Sequence, residues 1–297
     1  MYVYFFHFLK ILKSLILRPK KTLFWIIKDY KKDKNARFCK SKFKKVWCAG
    51  LPKSGTTLIE AIFEELPYVR QNASFNRIFF TNKLDHPHGI SEDIFKFMPS
   101  NKYTFIKTHT HYLKKYESVY KNFDLRIIIS LRDLRDMLIS RYYHILSDKS
   151  HYLNKIILDM NKTDGFIYSI KNISSDDDTS TLGYYYNWIK NWLKVANQND
   201  YLILWYEDYN KDPIQYIKKI LNYVELNNYD PNDIYKKLTL KNKTKHILTK
   251  SLSEYGRDKS TFRKGEVEQW KKFFNEEINK FFYDNLPGNF ELIKYND

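Results

Sequence analysis

The sequence predicts an α/β fold. It reads as a single domain in which a central parallel sheet is flanked by helices and one strand ends in a P-loop-like phosphate-binding turn. Three observations predict it. Apolar runs of strand character recur at 45–48, 125–131 and 201–208, as expected of strands covered on both faces. Segments with helical spacing alternate with them, the order of a parallel sheet. A turn rich in glycine and hydroxyls, Ala49 to Thr57, separates the first strand from the first helix.

Taken in chain order, Lys45-Val46-Trp47-Cys48 is the first strand, and 58–66 is a helix with apolar residues at 58, 59, 62, 63 and 66. Pro67, Pro87, Gly89 and Pro99 break 67–100 into loops and short helices. Tyr103 to His111 is a short strand running into a loop, Leu125 to Leu131 is a buried strand, and 133–144 continues from it as a helix. The acidic stretch 172–181, with Asp176-Asp177-Asp178, is a mobile loop or a lid. A helix over 182–197 carries Tyr184-Tyr185-Tyr186 and Trp188. The strand over 201–208 is followed by a helix over 213–224 with proline in its first turn. One last helix spans 266–283, with Val267, Trp270, Phe273, Phe274, Ile278 and Phe281 on one side.

The turn carries the chemistry. A strand, a tight turn and a helix start present free backbone N–H groups and the positive end of the helix dipole to an anion. Lys53 adds a charge, and Ser54, Thr56 and Thr57 add hydroxyls around Gly55. A Walker A loop places lysine directly after its second glycine. Here Lys53 comes two residues before Gly55, which argues against an ordinary ATP or GTP site.

The string Pro52-Lys53-Ser54-Gly55-Thr56-Thr57 resembles the 5′-phosphosulfate loop of sulfotransferases that use 3′-phosphoadenosine 5′-phosphosulfate (PAPS). Arg132 at a strand end, with Ser140 two turns into the next helix, resembles that family's 3′-phosphate motif, although Leu134 stands where the family has proline. A guanidinium fork and a hydroxyl suit a dianionic phosphate. Read without the resemblance, Arg132, Asp133, Arg135 and Asp136 form a surface ion-pair ladder. Arg263-Lys264-Gly265 resembles the C-terminal phosphate clamp, with Glu268 or Gln269 in place of its second glycine. The resemblance implies that Lys53, Ser54, Gly55, Thr56, Thr57, Arg132, Ser140, Arg263, Lys264 and Gly265 bind the nucleotide, with PAPS as co-substrate and no metal. It also implies that Tyr206, in Tyr206-Glu207-Asp208, approaches the adenine. The family's adenine-stacking tryptophan is Leu58 here.

Lys107-Thr108-His109 matches the family's Lys-Thr-His. The resemblance implies that His109 is the general base that takes the acceptor's proton as its oxygen, or amine nitrogen, attacks sulfur. Histidine suits that task because it titrates near neutral pH. Lys53 would neutralise the bridging oxygen and Lys107 would stabilise the sulfuryl group in flight. His111 is the rival base. A kinase or nucleotide hydrolase of P-loop type is the alternative enzyme, and Asp208 is its candidate magnesium carboxylate. A non-catalytic membrane- or nucleic-acid-binding protein on the same fold is the third reading, which the presence of His109 disfavours.

Hydrophobic residues make up 43% of the 297, ample for a core. Two cysteines, Cys39 and Cys48, build no disulfide framework and fit a reducing compartment. Residues 1–46 hold 14 Lys and Arg against Asp29 and Asp33, or +12 of the net +17, leaving +5 for the other 251 residues. The body is therefore only mildly basic, which suits an anionic cofactor rather than nucleic acid. Residues 46–297 are taken as the catalytic domain and 1–45 as a basic, aromatic-rich arm. The arm's apolar runs, broken by Lys10 and Lys13, are too short to span a bilayer. It reads either as an interfacial membrane segment or as helices packed on the domain. The expected protein is cytoplasmic, peripheral on a membrane surface if the first reading holds. Its acceptor is a small molecule, a lipid or a glycan.

Overall fold

A computed structural model of the chain describes residues 45–66, 70–71, 104–112, 125–149, 151–171, 181–248 and 265–287, together with the single positions 16, 19, 23 and 27. The arm expected over 1–45 and the clamp residues Arg263 and Lys264 thus lie almost wholly outside the described residues.

Five parallel strands form one sheet in the order β2-β3-β1-β4-β5. They are β1 (Lys45–Gly50), β2 (Arg70–Gln71), β3 (Thr104–Thr108), β4 (Leu125–Leu131) and β5 (Leu202–Trp205). The central strand pairs with both neighbours in register, Trp47 lying between Ile106 and Ile127. Side chains alternate along a strand, so β1 feeds two cores. Val46 and Cys48 point to one face and meet Ile59, Ile62 and Phe63 of helix α1 (Thr56–Glu65). Trp47 and Ala49 point to the other, against a layer drawn from helices α2 (Leu134–Ser147), α4 (Lys162–Lys171) and α5 (Thr181–Ala196). A short α3 (Asn154–Leu158) links α2 to α4. Trp47, Ile106, Ile128 and Phe63 are fully buried, each such side chain contributing about 1.5–3 kcal/mol relative to exposure.

The expected strands and their helices are present, with shifted ends. Strand β5 stops at Trp205, and α6 (Tyr206–Lys211) begins at the next residue. Helix α7 (Pro213–Tyr223) carries its proline at the start and is capped by Asp212, which accepts from the Gln215 amide at 2.9 Å. Helix α8 (Pro231–Leu248) packs beside it. The single helix expected over 266–283 is two, α9 (Trp270–Phe273) and α10 (Glu276–Asn285). The break lies at Phe274, whose backbone is extended, and Asn275 starts the second helix by accepting from the Ile278 amide at 2.9 Å. A side-chain cap competes well with the continuing ladder at such a site.

Strand order explains where a ligand can sit. Chain connections leave β1 toward β2 and β3 on one side and toward β4 and β5 on the other. In open parallel sheets such a reversal opens a crevice at the carboxyl ends of the strands. Gly50, Thr108, Leu131 and Trp205 end their strands there.

Candidate active site

The turn after β1 is tightly tied. Ser54 folds back on Leu51, donating to its carbonyl through the amide (3.1 Å) and the hydroxyl (2.7 Å). Ser130, at the end of β4, donates its hydroxyl to the Ser54 carbonyl at 2.8 Å. Lys53 and Gly55 both adopt left-handed backbone, at φ +74° and +102°. Only Gly55 does so without a Cβ penalty. A Cβ on Gly55 would also meet the Tyr206 ring at 2.9 Å, and one on Gly50 would meet Thr56 Cγ2 at 2.4 Å. Helix α1 begins here with no side-chain cap, so its first amides suit an external anion. Ser54 and Thr56 are buried, and Thr57 is exposed.

Arg132 gathers distant segments. Its guanidinium donates to the Glu266 carbonyl at 2.8 Å and to the Lys53 carbonyl at 3.5 Å, and lies 4.6 Å from the Tyr206 ring centroid. Tyr206 donates its hydroxyl to the Gly265 carbonyl at 3.1 Å. The charged cluster is buried, with Arg132, Asp133, Arg135 and Asp136 all less than a tenth exposed, which argues against the alternative of a surface ion-pair ladder. Each has a specific partner. Asp136 accepts from the Trp270 amide at 3.1 Å and faces Arg132 at 3.9 Å. Burial raises its carboxyl above the usual range, against the pull of Arg132. Arg135 pairs with Asp133 and lies 3.6 Å over the Trp270 ring. Glu207 accepts from the Asp133 amide at 3.0 Å, and burial lifts its carboxyl to about 7.

The end of β3 and the loop after it also approach the turn. Lys107 pairs with Glu60 of α1 and donates to Thr57 Oγ1 at 3.3 Å. His109 donates from Nδ1 to the carbonyl of Gly50, the last residue of β1. A carbonyl accepts only, so this contact requires the proton on Nδ1 and leaves the lone pair on Nε2 in the neutral ring. Three buried indoles hold the loop. Trp188 and Trp192 both donate to the Thr110 carbonyl at 3.1 Å, and Trp47 donates to Thr108 Oγ1 at 2.8 Å. His111 turns elsewhere, its ring edge-on to Tyr184 at 4.4 Å.

The structure therefore gathers Lys53, Ser54, Gly55, Thr56 and Thr57 with Arg132, Tyr206 and Gly265, and sets Lys107 and His109 beside them. Ser140 is half-buried on α2. Asp208, weighed as a magnesium carboxylate, faces Lys219 of α7 at 3.7 Å. The sequence reading overlooked Ser130, Glu60 and the tryptophan clamp. Ser130 left a trace, as the one hydroxyl in a buried apolar run, and Glu60 stands three residues after Thr57 on the same helix face.

Comparison with known proteins places the chain in a family. The chain is 25% identical to flavonol 3-sulfotransferase of Flaveria bidentis over 78% of its own length and 77% of the relative's. It is 23% identical to human sulfotransferase 1C2, over 80% and 81%. Its fold is similar to that of mouse sulfotransferase SULT7A1 complexed with PAP, with a TM-score of 0.55 at 17% identity, covering 91% of this chain and 93% of that one. The family model described as "Sulfotransferase domain" matches residues 43–286, from the entry of β1 to the end of the last described helix, and the chain belongs to the sulfotransferase family.

Proposed function

We propose that this protein transfers the sulfuryl group of PAPS to an acceptor hydroxyl or amine, by in-line displacement with His109 as general base. The observation that carries this reading is the contact of His109 Nδ1 with the Gly50 carbonyl. It leaves Nε2 as the proton acceptor, on a loop next to a turn suited to a phosphosulfate. As the acceptor attacks sulfur, Nε2 takes its proton, the S–O bond to the 5′-phosphate breaks, and that bond's electron pair leaves with PAP. Lys53, Lys107 and the amides of α1 balance the charge that grows on the departing phosphate. Arg132, Ser140, Arg263, Lys264 and Gly265 would hold the 3′-phosphate, and Tyr206 the adenine side. The residues present fit the nucleotide. The buried guanidinium of Arg132 has an Nε with no hydrogen-bond partner, and Ser54 to Thr57 form an anion-type turn.

The acceptor is expected to be a small molecule, since the Flaveria bidentis relative is named for a flavonol. Radiolabelled PAPS offered with phenols, lipids and glycans tests both parts of the reading. Transfer to a phenol or other small hydroxyl compound supports it, and no transfer to any class overturns it.

The arm has its own reading, as a peripheral membrane contact. The described positions Ile16, Leu23 and Ile27 are helical and exposed, which supports it. Among the described residues no helix is long and apolar enough to cross a membrane. Full-length protein should pellet with anionic liposomes at low salt and release at high salt. A chain beginning at Lys45 that fails to fold would make the arm part of the domain instead.

A further inference from the structure

We infer that Glu60 is a positioning residue that sets the hold of the site on the 5′ end of the nucleotide, by keeping Lys107 against Thr57 and offsetting its charge. The inference rests on the sulfotransferase reading and deepens it. Lys107 sits near the end of β3, opposite Cys48 of β1. Alternation along the strand sends its side chain to the same face as Phe105, which packs with Ile59, Ile62 and Phe63 of α1. On that face it meets the first turns of the helix. Thr57 lies in the opening turn and Glu60 three residues further on, so both side chains share one stripe. The ammonium joins them, paired with the Glu60 carboxylate and 3.3 Å from Thr57 Oγ1.

This placement has two consequences. Two bonds fix the ammonium beside the helix start, where a 5′-phosphosulfate would bind. The pair also carries no net charge, so part of the site's attraction for the 5′ group is cancelled before any ligand arrives. A carboxylate one turn inside a phosphate-binding helix opposes anion binding. Its use is release. The spent nucleotide keeps every phosphate anchor of the donor, and a site with unopposed Lys53 and Lys107 would hold it too long for turnover. Both partners are about a quarter exposed, so the pair can loosen without unfolding anything.

The experiment compares nucleotides with and without a 5′-phosphate. Glu60→Gln keeps the shape and removes the charge. It is expected to bind PAP about three- to thirtyfold tighter, the scale of one partly screened charge at close range. Adenosine 3′-monophosphate, which lacks the 5′-phosphate, should bind it and the wild type alike. Glu60→Asp, which restores the charge, should return PAP affinity toward the wild type. Unchanged or weaker PAP binding by Glu60→Gln overturns the inference, as does an equal change for both ligands, which would mark a merely structural role. The wild type supplies the separate control. If it binds PAP no better than adenosine 5′-monophosphate, the sulfotransferase reading of the site fails, whatever the variants do.

Discussion

Tyr206 donates its hydroxyl to the Gly265 carbonyl at 3.1 Å, while its ring lies against Gly55 and beneath the Arg132 guanidinium. One side chain thus touches the phosphate turn, the strand-end arginine and the C-terminal strap. Removing only its hydroxyl tests the strap. Tyr206→Phe should weaken PAP binding by about 1 kcal/mol, the net worth of one neutral hydrogen bond. Arg132→Ala should weaken it by about 1.5–3 kcal/mol, the range for a bond to a charged group. Calorimetric titration with PAP reads both, and equal losses would mean that Arg132 does not meet a phosphate.

His109→Ala should lower turnover by about 10²- to 10⁴-fold, the range for a general base, with PAP binding preserved. His111→Ala should do far less, because its ring packs on Tyr184. Steady-state rates and PAP affinities of the two variants decide the matter. If His111→Ala is the inactive one, the base has been misplaced by two residues.

Glu207 links stability to pH. Its folded carboxyl is raised to about 7 from an ordinary 4.5, chiefly by burial. The folded state therefore keeps a proton that the unfolded chain has released. Stability from this group is present below the unfolded value and falls as pH rises from about 4.5 through about 7. The full loss is roughly 3 kcal/mol. Glu207→Gln, which can still accept from the Asp133 amide, should flatten that decline in urea unfolding followed from pH 5 to 8. A variant with the wild-type slope would place the titration elsewhere.

Glu268 is strained. It sits at φ +56°, left-handed backbone that disfavours a side chain. Its contact with Lys271 at 2.6 Å is exposed and contributes little. Glu268→Gly should raise stability by about 1 kcal/mol, the strain relieved exceeding the extra chain entropy of glycine. A thermal shift downward would show that the Glu268–Lys271 pair outweighs the strain.

The contrast between what was legible in the sequence and what was not follows the range of the forces. The strand-type runs at 45–48 and 125–131 stand out because parallel strands are covered on both sides. The turn 52–57 announces itself because left-handed backbone and a helix start need particular residues in a row. The split between Phe273 and Glu276 was hidden, since apolar spacing continues across it and only the Asn275 side chain decides. Burial of Asp136 and Arg135 was hidden too. Their partners, the Trp270 amide and ring, come from 134 and 135 residues away, and short-range patterning reads such charges as solvated. The indole clamp on Thr110 likewise spans 78 and 82 residues.

Gly50 ends β1, opens into the phosphate turn, and offers its carbonyl to His109. One peptide unit is therefore the shared datum from which both halves of the site are measured. A shift or tilt of the central strand carries the turn and the imidazole along as a pair and leaves their spacing nearly constant. The surrounding helices and loops can drift in sequence without detuning the distance between the turn and the imidazole.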